Sequence, residues 1–226
     1  MKIFLDGANF DEIKKIKKID GYTFNPSLFK KLGAKDYLKF TRLILAKTSN
    51  KDVSIEVIGD DYASCYEQAL KISKISKNIR VKIPITFSDG RSTKKLLAEF
   101  VKKKIKLNIT AIFTLNQIKE ILPILEDTSS ILSIFSGRLY DIGIDAADKF
   151  KIMSKYVHKN SKCKTLWASC RMVYDIKTAK KSKADIITIP PSLYIKSKKF
   201  GYSSLKCSQD TVKGFLVDAR KSKFKI

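Results

Sequence analysis

Apolar residues fall in short runs separated by longer stretches with helical spacing, and this alternation recurs along the chain. The runs are Lys2–Asp6, Gly21–Asn25, Val53–Gly59, Arg80–Thr86, Leu107–Phe113, Ile131–Gly137, Thr165–Cys170 and Ile186–Pro190. Their length and branched residues predict buried strands. Between them, Phe10–Ile19, Tyr62–Ser76, Ser92–Lys104, Leu115–Leu125 and Ala146–Lys159 are amphipathic at the helical period. Asn9 followed by Asp11 and Glu12 marks a helix start, with acids near the positive end of the dipole. Strands alternating with helices imply βαβ units and a parallel sheet. Eight strand candidates predict an α/β fold closed into a single (β/α)8 TIM-type barrel over residues 1–226, with an extra C-terminal helix at about 208–222. An open doubly wound sheet is the alternative, but the chain has no G-x-G-x-x-G or P-loop to support it.

Lys82 interrupts this pattern. It stands in Ile79-Arg80-Val81-Lys82-Ile83-Pro84-Ile85-Thr86, inside a run that reads as a buried strand. Burial disfavours an ammonium and moves lysine toward the free amine, a nucleophile for carbonyl groups. For one isolated lysine, the other reading is a strand-end side chain whose head reaches water.

The two-residue alternation of strands tests its company. Val81, Ile83 and Ile85 belong on the helix-covered side, so Lys82 points into the barrel. The same split puts Phe4 and Asp6 inside with Ile3 and Leu5 outside. It puts Thr23 and Asn25 inside against Tyr22 and Phe24. Ser54 and Glu56 fall inside, as do Asn108 and Thr110. Ser133 shares a face with Phe135, and Ser169 shares one with Trp167, with Arg171 following at the strand end. Asp6, Thr23, Asn25, Glu56, Lys82, Asn108, Thr110, Ser133 and Ser169 thus converge where barrels ordinarily hold branched apolar layers. Nine polar side chains there are costly as structure alone, and an active site explains the set better. Two carboxylates and an amine suit carbonyl chemistry through a Schiff base. Arg138 and Arg171, near the ends of strands six and seven, suit a phosphate with help from Ser169.

Composition narrows the remaining classes. Lys plus Arg number 46 against 22 Asp plus Glu, a net charge of +24. The basic residues are almost all lysine, spread along helix faces, and the arginines are Arg42, Arg80, Arg91, Arg138, Arg171 and Arg220. Nucleic-acid recognition favours the arginine fork, so nucleic acid is not the expected partner; phosphorylated substrates are. Cys65, Cys163, Cys170 and Cys207 have no C-x-x-C spacing and only His158 beside them, which implies reduced cytoplasmic thiols rather than a metal site. No apolar run has membrane-spanning length, and Asp6 comes too early for a secretory leader.

Phe4-Leu5-Asp6, Asn25-Pro26-Ser27, Glu56-Val57, Val81-Lys82-Ile83-Pro84, Asn108-Ile109-Thr110, Gly137-Arg138 with Asp141-Ile142-Gly143, Ala168-Ser169 with Arg171, and Ala184-Asp185-Ile186 follow in order along nearly the whole chain. In this order and spacing they resemble the transaldolase family, specifically its short-chain, fructose 6-phosphate aldolase-like members. The resemblance implies Lys82 as Schiff-base lysine, Asp6 as acid/base, and Glu56 with Thr110 as holders of a catalytic water. It implies Thr23, Asn25, Asn108, Ser133 and Phe135 as sugar contacts, and Arg138, Ser169 and Arg171 as the phosphate site. The implied reaction moves a dihydroxyacetone unit from a ketose phosphate (sedoheptulose 7-phosphate or fructose 6-phosphate) to an aldose phosphate, in the non-oxidative pentose phosphate pathway, with no metal or cofactor. Sibling aldolases release free dihydroxyacetone and carry glutamine in place of Glu56 and tyrosine in place of Phe135; both positions favour transfer here. A ring-shaped homo-oligomer, often a decamer, is also implied. Gly7, Phe24, Ile134 and Ser136 depart from the family pattern beside the site, which leaves a specialised sugar as the alternative substrate.

Overall fold

A computed structural model describes residues 1–222. Among them the barrel elements run β1 (Lys2–Asp6), α1 (Phe10–Lys15), β2 (Gly21–Phe24), α2 (Pro26–Lys31), α3 (Tyr37–Lys47), β3 (Asp52–Glu56), α4 (Tyr62–Ser73), β4 (Ile79–Pro84), α5 (Lys94–Lys102), β5 (Leu107–Ile112) and α6 (Leu115–Leu125). They continue as β6 (Ile131–Ile134), α7 (Ser136–Asp141), α8 (Ala146–Asn160), β7 (Lys164–Trp167), α9 (Asp175–Lys181), β8 (Ile186–Ile189) and α10 (Pro191–Lys196). All strand pairs are parallel, and β8 closes on β1 through Lys2↔Ile186 to Leu5↔Ile189. The fold is a (β/α)8 barrel with a C-terminal helix.

Helix starts follow the sequence signals. Asn9 and Glu12 form a reciprocal capping box on α1, Thr114 and Gln117 another on α6, and Asp61 caps α4. Strand ends differ from expectation. The runs from Val53, Arg80, Ile131 and Thr165 were expected to extend two or three residues further than β3, β4, β6 and β7 do. Their apolar tails belong to the loops and helix starts that follow the C-terminal ends of the strands; Phe135, for example, precedes α7 directly.

Two cores result from the alternation. The helix-facing core takes Leu5, Tyr22, Phe24, Val53, Ile55, Val81, Ile83, Leu107, Ile109, Leu132, Ile187 and Ile189. Inside the barrel, a smaller cluster of Phe4, Ile131, Leu166, Ala168 and Ile186, with Phe135 against it, forms an apolar plug. One strand breaks the expected parity. Trp167 lies in the helix-facing core, with ring centroids 5.1 Å from Phe150 and 6.2 Å from Tyr140, and Leu166 and Ala168 face inward. Ser169 follows the strand with φ of +63°, a left-handed turn that ends the two-residue alternation, so it does not share a face with Trp167.

Met1–Tyr194 form one compact unit. The segment from Ile195 is a second, with a 3-10 turn at Ser197–Lys199 and α11 (Ser204–Ser222), on which Leu205, Val212 and Phe215 are exposed. The helix begins four residues before the expected start. No helix of the described residues is long and apolar enough to cross a membrane.

Candidate active site

β4 carries Lys82 into the barrel interior at 5% exposure, which excludes a head that reaches water. Its Nζ lies 2.8 Å from Glu56 Oε2, on the neighbouring strand in direct Cα register. A buried ammonium without a partner is costly, and this carboxylate is what makes the position tenable. Glu56 is steered from outside the barrel: the Tyr37 hydroxyl of α3 donates to its main-chain oxygen at 2.5 Å. Burial, and then the Glu56 charge, push the Tyr37 phenol up, so it remains a donor.

Asp6 ends β1 and accepts a hydrogen bond of 2.7 Å from Thr23 Oγ1 on β2. Burial raises its pKa; the Lys82 charge and the Thr23 bond pull the other way, and Glu56 adds to the rise. Immediately after it, Gly7 turns the chain at φ +69°, where a Cβ would come within 2.5 Å of Leu28 Cδ2. The glycine that departs from the family pattern is thus the residue this turn requires.

The wall beside Lys82 is a closed polar network. Asn108, in register with Lys82, donates from Nδ2 to Ser54 Oγ at 3.0 Å and accepts from Ser133 Oγ at 2.7 Å. Thr110 follows on the same strand with its Oγ1 buried and without a protein partner. Ala111, at φ +59°, sits in the register shift between Ile109 and Ile112 that ends this alternation. Asn25 differs from expectation. It stands just past β2, and its Oδ1 accepts from Leu28 N at 2.8 Å as the N-cap of α2, which fixes the side chain and leaves its Nδ2 donors to meet a sugar.

Arg138 and Arg171 come together through a residue the strand pattern did not single out. Arg171 donates bidentately to Asp141, with Nε at 2.9 Å from Oδ1 and a second bond from its terminal nitrogen, and holds that carboxyl low. Arg138 lies one turn before Asp141 in α7 and stacks 5.7 Å over Phe135. The buried Asp175 accepts from the main-chain N–H groups of Arg171 and Met172 and fixes the loop. Gly137 permits this closeness: a Cβ there would stand 1.5 Å from the Ser169 carbonyl oxygen. Ser169 therefore sets its carbonyl against Gly137 from a left-handed turn rather than following strand parity.

Sequence reasoning gave no role to Thr188, Asp175 or Asp141, the last standing only within the motif Asp141-Ile142-Gly143. Thr188 had a signal: Ile187 and Ile189 face the helices, so the same alternation puts Thr188 inside, where its Oγ1 lies 2.6 Å from Thr23 Oγ1. The two aspartates stand at helix ends, the last residue of α7 and the first of α9, which no period marks. All four cysteines are free thiols, and among the described residues no three His, Cys, Asp or Glu side chains converge as a metal site would require.

Fold and site together define a (β/α)8 protein with a lysine–carboxylate centre at the C-terminal ends of its strands, where enzymes of this fold do their chemistry. Residues 3–226 match the family model described as Transaldolase/Fructose-6-phosphate aldolase. A protein described as "Probable transaldolase" from Carboxydothermus hydrogenoformans is 34% identical over 222 residues, covering 96% of this chain and 97% of that one. Another so described, from Bartonella henselae, is 34% identical over 197 residues, covering 85% and 87%. The chain belongs to the transaldolase/fructose-6-phosphate aldolase family. Among solved structures, N-acetylneuraminate lyase from Mycoplasma synoviae superimposes with a TM-score of 0.60 at 13% identity, over 96% of this chain and 77% of that one; this likeness is one of fold.

Proposed function

We propose that the protein is a Schiff-base transaldolase that transfers a dihydroxyacetone unit from a ketose phosphate to an aldose phosphate. The observation that carries this reading is the buried Lys82 amine, 2.8 Å from Glu56, on the same inner face as Asp6.

In this mechanism Glu56 accepts the proton that leaves Lys82 Nζ, and the amine adds to the ketose carbonyl. Glu56 then returns a proton to the departing hydroxyl, which leaves as water, with the unpartnered Thr110 hydroxyl to orient it. Asp6 removes the proton from the hydroxyl of the next carbon beyond the bond to be cleaved. The carbon–carbon bond breaks, its electron pair moves into the iminium, and an aldose phosphate departs. The enamine left on Lys82 attacks an acceptor aldehyde, Asp6 returns its proton to the new hydroxyl, and water frees the product ketose. Asn108, Ser133 and the Asn25 amide suit the sugar hydroxyls, and Arg138, Ser169 and Arg171 suit the phosphate. A raised Asp6 pKa fits a group that must take and return a proton.

The product assay uses fructose 6-phosphate with and without erythrose 4-phosphate as acceptor. Transfer predicts sedoheptulose 7-phosphate with glyceraldehyde 3-phosphate, dependent on acceptor. Free dihydroxyacetone from fructose 6-phosphate alone, unchanged by acceptor, would assign the aldolase reaction instead. Buried free thiols fit a reducing cytoplasm. A homo-oligomer completes the proposal, supported by Leu205, Val212 and Phe215 exposed on one helix. Light scattering is expected to give a multiple of 25.7 kDa that falls toward the monomer in Leu205→Glu/Phe215→Glu; a monomer in the unaltered protein would remove it.

A further inference from the structure

Thr188 meets the proposed machinery at the Thr23 hydroxyl. Thr23 and Thr188 are 1% and 4% exposed, and Thr23 Oγ1 lies 2.7 Å from Asp6 Oδ1 and 2.6 Å from Thr188 Oγ1. Each hydroxyl has a single proton to donate. An ionised Asp6 only accepts, so it commits the Thr23 proton to itself. Thr188 must then donate to the Thr23 oxygen. With Asp6 ionised, the chain therefore has one direction: Thr188 to Thr23 to Asp6, each bond polarising the next. Once Asp6 is protonated this demand lapses, and Thr23 is free to turn its own proton to Thr188. Both states are served by rotating O–H bonds, with no heavy atom moving. Thr188 is itself held in place: its main chain pairs with Phe4 on β1, and its carbonyl accepts from Cys170 Sγ at 3.1 Å.

We infer that Thr188 is a positioning residue for Asp6: its hydroxyl orients Thr23 so that the carboxylate stays ionised and aimed until it takes the substrate's hydroxyl proton. The inference rests on Asp6 as the proton acceptor proposed above. The charged or titratable groups around Asp6 are Lys82 on β4, Glu56 on β3 and Cys170 after β7, with Glu12 of α1 and Lys31 of α2 lining the same cavity. Burial pushes the Cys170 thiol far up, so it remains neutral. None of these groups is altered by replacing Thr188.

The test titrates Asp6 directly by its infrared carboxyl band, assigned by its loss in Asp6→Asn, and sets it beside the pH profile of ketose cleavage. Thr188→Val is expected to raise the Asp6 midpoint by about 0.3 unit and move the acid limb of kcat/KM by the same amount, about a twofold loss on the acid side with none on the alkaline side. Thr188→Ser restores both. Should the valine variant not fold, Thr188→Ala and Thr188→Ser differ only in the hydroxyl, and the alanine variant alone should show the shift. An unmoved midpoint in Thr188→Val, or a serine variant no better than alanine, overturns the inference. The band needs no substrate, so a shifted midpoint in a protein that cleaves no ketose upholds the Thr188 coupling and overturns the functional reading instead.

Discussion

At the scale of single residues, the site depends on charges kept where water would otherwise serve them. Lys82 and Glu56 pair at 2.8 Å, and Asp6 accepts from the Thr23 hydroxyl. Asp6 is the strained member: burial lifts its folded pKa above the unfolded one. A carboxyl shifted in this direction favours the fold while protonated, and that contribution is lost as pH rises through the folded pKa. Asp6→Asn imitates the protonated form. It is expected to melt above the unaltered protein at neutral and alkaline pH, with the gap closing as pH falls. A variant less stable than the unaltered protein at every pH would show that Asp6 serves stability rather than chemistry.

At the scale of elements, the site is assembled where strands stop. The inner-face parity of β1 to β5 was legible because alternating branched residues show which side the helices cover. It put Asp6, Thr23, Glu56, Lys82, Asn108 and Thr110 on the inner face, and the family resemblance implied their roles. Parity lost its hold at Asn25, Ala111 and Ser169, where a helix cap or a left-handed turn replaces extended backbone. Asp141 and Asp175 received no role because helix-end residues that hold an arginine or a main-chain N–H leave no periodic trace. The junction of α7 with the end of β7 gives this a test. Gly137→Ala puts a methyl group on the Ser169 carbonyl and must part the two segments. A loss of about 1–3 kcal/mol in stability is expected, with kcat/KM for a phosphorylated ketose down about 10²-fold as Arg138 and Ser169 separate. Unchanged kinetics would separate this junction from phosphate binding.

Across the whole molecule, the barrel divides its labour between two ends and two faces. The apolar plug of Phe4, Ile131, Leu166, Ala168 and Ile186 shares the inner face with the polar network, and the register sets Ile131 beside Asn108 and Leu166 beside Ser133. The +24 charge lies mostly in lysine and needs no nucleic-acid role, since a positive surface also attracts phosphorylated sugars. The proposed Schiff-base chemistry rests on one amine among 46 basic residues. Borohydride reduction in the presence of fructose 6-phosphate, followed by peptide mapping, tests that directly. The label is expected on Lys82 alone, with Lys82→Met neither labelled nor active; a label on another lysine, or none, would contradict the mechanism.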